Sequence, residues 1–307
     1  MDFGGFFRER KFYESPAAVR AYKGLRSGAA RAGFDVVLKT FYSPIPDLER
    51  LPRDFFERAA PLPGIDLGLD RQLAFVSEQL AGPMAEFKPP TSPDAGRYRY
   101  TTANPSYTRL DATFLYSIIR SLKPQRVIEL GSGHSTLVTA EAGRRNAEEG
   151  FPLRLEAYDP YAGVVDDGLP GLEHLHAVPV QDVPTATFEE LQAGDVLFVD
   201  TTHTVKAGSD VNFIVLNLLP RLQPGVVVHI HDVFLPFEYP RDFAEKFGLY
   251  WNEQYLVQAF LSMNARYEVV LSGAALTRLR NSEFLSRVPP GVPGEGSGAF
   301  WIRRTAS

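Results

Sequence analysis

From residue 108 onward the apolar positions follow two alternating rhythms. In TRLDATFLYSIIRSL, residues Leu110, Phe114, Leu115, Ile118, Ile119 and Leu122 recur three and four apart, the spacing of one helix face. Thr108 with Asp111 three residues on has the form of a capping box, and Pro124 ends the run. Short unbroken apolar runs follow: RVIEL (126–130), LRLEAYD (153–159), HLHAVPV (174–180), DVLFVD (195–200) and GVVVHIHD (225–232). A strand wet on one face alternates apolar with polar residues, whereas an unbroken run is buried on both faces. Helical or loop segments separate these runs, among them the strongly apolar SDVNFIVLNLLPRL (209–222). The alternation predicts an α/β fold, a doubly wound parallel sheet. A further helix, WNEQYLVQAFLSM (251–263), and two more strands, YEVVLS (267–272) and GAFWIRR (298–304), complete the pattern.

Residues 1–100 have no such rhythm. FYSPIPDLERLP (41–52) and FKPPTSPDAG (87–96) punctuate them with proline. One helix stands out, with Leu69, Leu73, Val76 and Leu80 on a single face and Asp66 and Asp70 near its start. The division expected is an N-terminal, mostly helical or irregular extension or cap over 1–100 and a main domain over 101–307. A chain of 307 residues, 44% hydrophobic and 22% charged, fits an ordinary globular core with such an extension. The net charge of −5 provides no basic field for nucleic acid. The absence of cysteine removes disulfides, thiolate metal sites and thiol nucleophiles. The opening MDFGGFFRERKFYES scatters charge among aromatics and has no signal-peptide core, and no run is long enough to span a bilayer. A cytoplasmic protein without a membrane partner is therefore expected. The aromatics of the first hundred residues leave room for a homo-oligomer.

Ligands of an open parallel sheet bind beyond the carboxyl ends of its strands. Those ends carry Glu129, Asp159, Asp182 just past the third run, Asp200 and Asp232. The first leads into a glycine turn, VIELGSGHSTL (127–137). A triphosphate loop needs a lysine after its last glycine, and none is present. A dinucleotide loop wants a third glycine where Thr136 stands, and a carboxylate at position 129 is unwelcome beside a pyrophosphate. Glu129 suits instead a ligand bearing an ammonium or sulfonium, and Asp159 suits a ribose diol. A nicotinamide-dependent oxidoreductase and a non-catalytic binder remain the competing readings.

VIELGSGHST resembles the first motif of class I S-adenosylmethionine-dependent methyltransferases. YDP, VQD, FVDTTHT and HIHDVFLPFEYP match the later strand ends in order, and WNEQYLVQAFL with SGAFWIRR resembles members of the methyltransferase-24 type. The resemblance spans about residues 98–304. It implies a sheet ordered 3-2-1-4-5-7-6 with the seventh strand antiparallel, and S-adenosylmethionine as cofactor. Contacts to the methionine end are implied at Glu129, Gly131 and Gly133, with Ser132 and Ser135 on the same loop. A ribose contact is implied at Asp159 and adenine-side contacts near Gln181 and Asp182, with Asp200 facing the cofactor from the fourth strand.

The acceptor side is expected to take a small molecule or sugar at a hydroxyl oxygen. Such a hydroxyl must lose a proton, and His203 and His231 are the candidate bases, since imidazole titrates near neutrality. His229, two residues deeper on the strand face of His231, is expected to be a core residue. Asp200, His231 and Asp232 form a candidate set for one divalent cation. Related enzymes resemble this chain there with a glutamate where His231 stands, a departure that speaks against the ion. Asn104, Tyr107 and Asp111 before the first strand, and Tyr239 and Trp251 after the fifth, are candidates to wall the acceptor site.

Overall fold

The computed structural model describes residues 15–40 and 42–306, so the opening segment MDFGGFFRERKFYE and Phe41 lie outside the described residues. The chain forms two compact units, residues 1–53 and 54–307. In the first, helix α1 (Pro16–Arg31) starts on Ser15, whose side chain accepts the Ala18 N–H, with proline at the position where a missing N–H costs nothing. It buries none of its residues.

The second unit begins with α2 (Leu69–Phe75), which widens through a π turn (Val76–Leu80) into α3 (Ala81–Glu86). Leu73, Val76, Leu80 and Met84 from this stretch are all buried. Helix α4 (Arg109–Leu122) starts on the expected cap, Thr108 Oγ1 accepting the Asp111 N–H at 3.1 Å. Its periodicity predicts one apolar stripe, yet every residue from Leu110 to Ile119 is buried. The helix packs against α3 on one side and against α5 (His134–Glu148) on the other, so even Thr113 and Ser117 lose water.

Seven strands build one sheet: β1 (Arg126–Leu130), β2 (Arg154–Tyr158), β3 (His174–His176), β4 (Val196–Val199), β5 (Val227–Ile230), β6 (Tyr267–Ser272) and β7 (Phe300–Arg304). Their order is 3-2-1-4-5-7-6. Strands β1 to β5 run parallel, and β7 is antiparallel to both β5 and β6. The strand order reverses between β1 and β4, which makes the crevice beyond their carboxyl ends the place for a ligand. The connecting helices are α6 (Ala186–Glu189), α7 (Asp210–Phe213, prolonged by a π turn over Ile214–Leu218), α8 (Arg241–Glu245), α9 (Glu253–Leu261), α10 (Gly273–Leu279) and α11 (Asn281–Arg287).

Two apolar layers cover the sheet. Val127, Ala157, Val196, Phe198 and Trp301 pack with α4, α5, α10 and α11, whereas Ile128, Leu130, Val199, Ile230 and Ile302 pack with α7 and α9. The strand register sets Glu129 beside Phe198, Phe198 beside His229, and His229 beside Trp301. All four are fully buried on the α4 and α5 side. Two elements depart from expectation. The run 174–180 gives a three-residue strand, because Pro179 has no N–H to donate and the chain turns into a 3-10 turn over Val180–Asp182. Helices α10 and α11 fill the connection between the last two strands, which the hydrophobic pattern left unassigned.

Candidate active site

The turn after β1 is built around two glycines with different reasons to be there. Gly131 has φ +84°, and a Cβ at that position would stand 1.9 Å from the Asp200 carbonyl oxygen. It is required by the end of β4. Gly133 is extended, and a Cβ there would meet nothing within 4 Å, so its free side faces open space. The loop is braced from both flanks. Ser132 donates through its N–H (3.0 Å) and its hydroxyl (2.8 Å) to Asp159 Oδ2, while Asp159 Oδ1 accepts the Tyr161 N–H. Ser135, in the first turn of α5, donates to Glu129 Oε1.

Glu129 is fully buried, and its Oε2 has no hydrogen-bond partner. Burial pushes its carboxyl up to about 8 against the Ser135 and Thr136 hydroxyls, with Asp200 and Asp159 adding repulsion. A buried acceptor with nothing to accept from costs about 1–3 kcal/mol. A ligand ammonium beside Gly133 would relieve that cost. Gln181 and Asp182 lie apart, exposed on the 3-10 turn, and Gln181 donates to the Gly208 carbonyl.

Beyond β4 and β5 stands a centre of histidines and acids. His203 is 4% exposed and left-handed (φ +55°). Its Nδ1 is 2.9 Å from Glu253 Oε2, and its Nε2 is 3.2 Å from Asp200 Oδ1 and 3.9 Å from Asp232 Oδ2. Burial opposes charge on this ring, but Asp200 and Glu253 outweigh it and hold its pKa at about 10. Burial likewise opposes charge on Asp200, and His231 with His203 overcome it, bringing that carboxyl to about 2. Asp232, also left-handed (φ +53°), is pushed up by burial against the pull of His231 and His203.

His231 is 3% exposed, with Nδ1 3.3 Å from His229 Nε2 and Nε2 3.8 Å from Asp232 Oδ1. Burial works against its charged form, and Asp232, Asp200 and Asp111 together raise its pKa above the ordinary value. His229 is stacked on Phe198 at 4.3 Å and lies 4.5 Å from Trp301. Burial and the neighbouring His231 keep it neutral. It is a core residue that touches the site through one hydrogen bond.

The surrounding candidates divide. Asn104 spends both ends of its amide on its own turn, on Thr101, Ser106 and Tyr107. Asp111 caps α4 and also accepts from Ser297 Oγ (2.6 Å), the Ala299 N–H and the Gly298 N–H, so its role is structural. Tyr107 is buried, its ring 4.9 Å from His231 and its hydroxyl without a partner. Trp251 lies 4.2 Å from the His203 ring and packs with Tyr239 and Phe243. A cavity of about 430 Å³ opens beside the loop, lined by Arg97, Arg99, Thr101, Asn104 and His134 among others. A larger one, about 610 Å³, lies among residues 59–71, Pro236 and Leu279 and touches none of the predicted site residues.

Glu253 is the residue the sequence did not reveal. It is 1% exposed, opens α9, and reaches a histidine fifty residues away. In the sequence it reads as an acid favoured by the helix dipole, and no spacing rule pairs it with His203.

The candidate metal set Asp200, His231 and Asp232 does not assemble as ligands. Among the described residues no group of three or more His, Asp or Glu is arranged to hold an ion. The His203 ring stands between the two aspartates instead, and His231 turns Nδ1 to His229. A metal-ligating imidazole must present a lone pair to the ion, which these contacts do not leave at His203.

Residues 128–233 match the family model described as a methyltransferase domain, of the methyltransferase-24 type. The chain is 28% identical over 161 residues to an uncharacterized protein of Archaeoglobus fulgidus, covering 50% of this chain and 72% of that one. Among solved structures it is similar to the SAH-bound methyltransferase PaMTH1 of Podospora anserina (TM-score 0.39, 17% identity, 79% of this chain and 89% of that one). It is also similar to an O-methyltransferase from Bacillus cereus in complex with SAH (TM-score 0.38, 13% identity, 66% and 84%). The matched residues run from β1 through the glycine loop to the Asp232 turn, in a sheet ordered 3-2-1-4-5-7-6. Over residues 128–233 this chain is thus similar to methyltransferase domains of the methyltransferase-24 type.

Proposed function

We propose that the chain methylates a hydroxyl oxygen of a small molecule, with the donor held over Glu129 and Gly133 and His231 acting as the base. One observation carries the donor side. Glu129 Oε2 is buried without a partner at the end of β1, and Gly133 in the turn that follows leaves room on its free side. Such a carboxyl suits a ligand cation, and the glycine lets a ligand approach the loop closely. Asp159 is half-buried; the Ser132 N–H and hydroxyl take up its Oδ2, and Oδ1 keeps a lone pair for a ribose hydroxyl after accepting from Tyr161. In this reading Gln181 and Asp182 serve the adenine end from their exposed turn. Bound there, S-adenosylmethionine supplies an electrophilic methyl carbon on a sulfonium.

The base is assigned by what each histidine has left to give. His203 faces a carboxylate with both nitrogens and has no lone pair to accept a proton. His231 donates from Nδ1 to neutral His229, which leaves Nε2 as acceptor. At 3.8 Å from Asp232, that nitrogen is beyond a hydrogen bond and open to a hydroxyl. The imidazolium that forms is stabilised by Asp232 and Asp200. In this reading residues 101–307 carry the catalytic elements, and residues 54–100 complete the same compact unit.

Calorimetric titration with S-adenosylmethionine and with S-adenosylhomocysteine tests the donor site. Both should bind, and E129Q should weaken both by about 10–100-fold, the worth of one charge-assisted hydrogen bond. No heat with either ligand would refute the assignment.

A further inference from the structure

The two strand-end aspartates that would flank a divalent ion face a histidine instead. His203 has a carboxylate oxygen within reach of each nitrogen, Glu253 Oε2 at 2.9 Å and Asp200 Oδ1 at 3.2 Å, with Asp232 Oδ2 at 3.9 Å. A neutral imidazole has one N–H and one lone pair, and a lone pair cannot face a carboxylate favourably. With both carboxyls ionised, two such contacts use both hydrogens, and hence the positive charge; burial pushes the Glu253 carboxyl up and the hydrogen bond to His203 pulls it back down. His203 and His231 supply favourable charge to both Asp200 and Asp232.

The ring is also held against moving aside. The His203 carbonyl accepts the N–H groups of Asn252 (3.1 Å) and Glu253 (3.2 Å). Its left-handed backbone is a conformation that a non-glycine residue keeps only when its surroundings impose it. Trp251 lies against the ring at 4.2 Å, and Asn252 Oδ1 accepts the Val205 N–H, so the start of α9 grips the whole 203–205 turn. Asp232 is fixed as firmly. It has a left-handed backbone, and a Cβ on Gly298 would come within 2.8 Å of its Oδ1.

We infer that the His203 ring, held by Glu253, is a built-in cation that occupies the place between Asp200 and Asp232 where a divalent ion would sit, so that this chain transfers methyl groups without a divalent metal. A hard cation needs carboxylate oxygens at about 2.0–2.6 Å, and the ring stands in that space. An arriving ion would meet a like charge with no lone pair to offer it. The ring's charge offsets part of the negative charge of Asp200, Asp232 and Glu253, and it needs no rearrangement to do so. Glu253 is then a positioning residue, holding the ring through its far nitrogen.

The inference takes its catalytic meaning from the proposed methyl transfer, but its test does not use that reaction. Manganese(II) is titrated into the full-length protein, and free ion is read by electron paramagnetic resonance. The wild type should bind no ion with a dissociation constant below about 1 mM. H203A opens the gap between the aspartates and should gain one ion per chain, with a dissociation constant of about 100 µM, lost again in H203A/D200N. S-adenosylhomocysteine binding by calorimetry reports that each variant is folded. One manganese ion bound by the wild type and lost in D232N would overturn the inference, as would a folded H203A that takes up none. If H203A does not fold, the wild-type titration decides alone. If no methyl acceptor is ever found, the ion-binding result still stands.

Discussion

At Gly131 a methyl group would collide with the Asp200 carbonyl, whereas at Gly133 it would enter empty space. The two glycines of one short motif therefore fail differently when replaced. G131A should not give soluble folded protein, because it combines a disfavoured backbone with a backbone clash. G133A should fold with an unchanged urea midpoint and bind S-adenosylmethionine about 10–100-fold more weakly, since the added methyl takes up ligand space. Glu129 adds a pH signature. Its carboxyl sits near 8 in the free protein, and a donor ammonium favours the ionised form and lowers that value in the complex. Below pH 8 the complex must therefore shed a proton as it forms, so affinity should climb as pH rises towards 8, by up to about tenfold per unit, and level off above it. Calorimetry from pH 6 to 8.5 should show this slope in the wild type and none in E129Q; a flat wild-type profile would mean that no cation meets Glu129. At this scale the glycine turn after β1 was legible, but the reason residue 131 must be glycine was not, because the crowding atom is the Asp200 carbonyl at the end of another strand.

Among the elements, α4 and the segment entering β7 are joined through one carboxylate. Asp111 accepts from Ser297, Gly298 and Ala299 while closing the cap with Thr108. D111N keeps the size but turns an acceptor-only group into one that must also donate. It should lower unfolding stability by about 1–3 kcal/mol in urea, leaving S-adenosylhomocysteine affinity within about twofold. A loss of binding larger than the loss of stability would place Asp111 in the ligand site instead. The cap was legible from Thr108 and Asp111 alone, but its second use was not, because nothing local links residue 111 to residue 297. The same limit explains the helices. Periodicity located α4 and α9 to within two residues at most ends, yet it predicted a stripe where α4 is buried all round. An apolar face shows which side meets a neighbour, not how many neighbours there are. Strand β3 fell short because an edge strand has a partner on only one side, and Pro179 removes a donor from it.

For the molecule as a whole, the proposed boundary at residue 101 meets a core that begins earlier. Leu73, Val76, Leu80, Met84, Phe87 and Tyr100 are buried in the same layer as α4 and α5. Each contributes about 1.5–3 kcal/mol through burial, together on the scale of a domain's whole net stability. A chain starting at Asp54 should therefore fold cooperatively and bind S-adenosylhomocysteine as the full chain does, and one starting at Thr101 should aggregate. Circular dichroism melts with calorimetry would show it. Proline-rich spacing made residues 54–100 look like a covering piece, since composition reports flexibility of outline and is silent on what the few apolar side chains touch. Helix and strand alternation made a doubly wound parallel sheet legible, and its order came from the resemblance of the strand-end motifs to a known family.

The contact between Gly131 and the Asp200 carbonyl has one more consequence. It locks the donor loop to the β4 turn, and His203 three residues on is locked in turn to α9. Half of the crevice is thus a single casting with no adjustable part. Changes meant to alter what the crevice takes should leave 129–136 and 200–205 untouched, and should also spare Phe234, Phe237 and Tyr239, which Gln254 ties to α9.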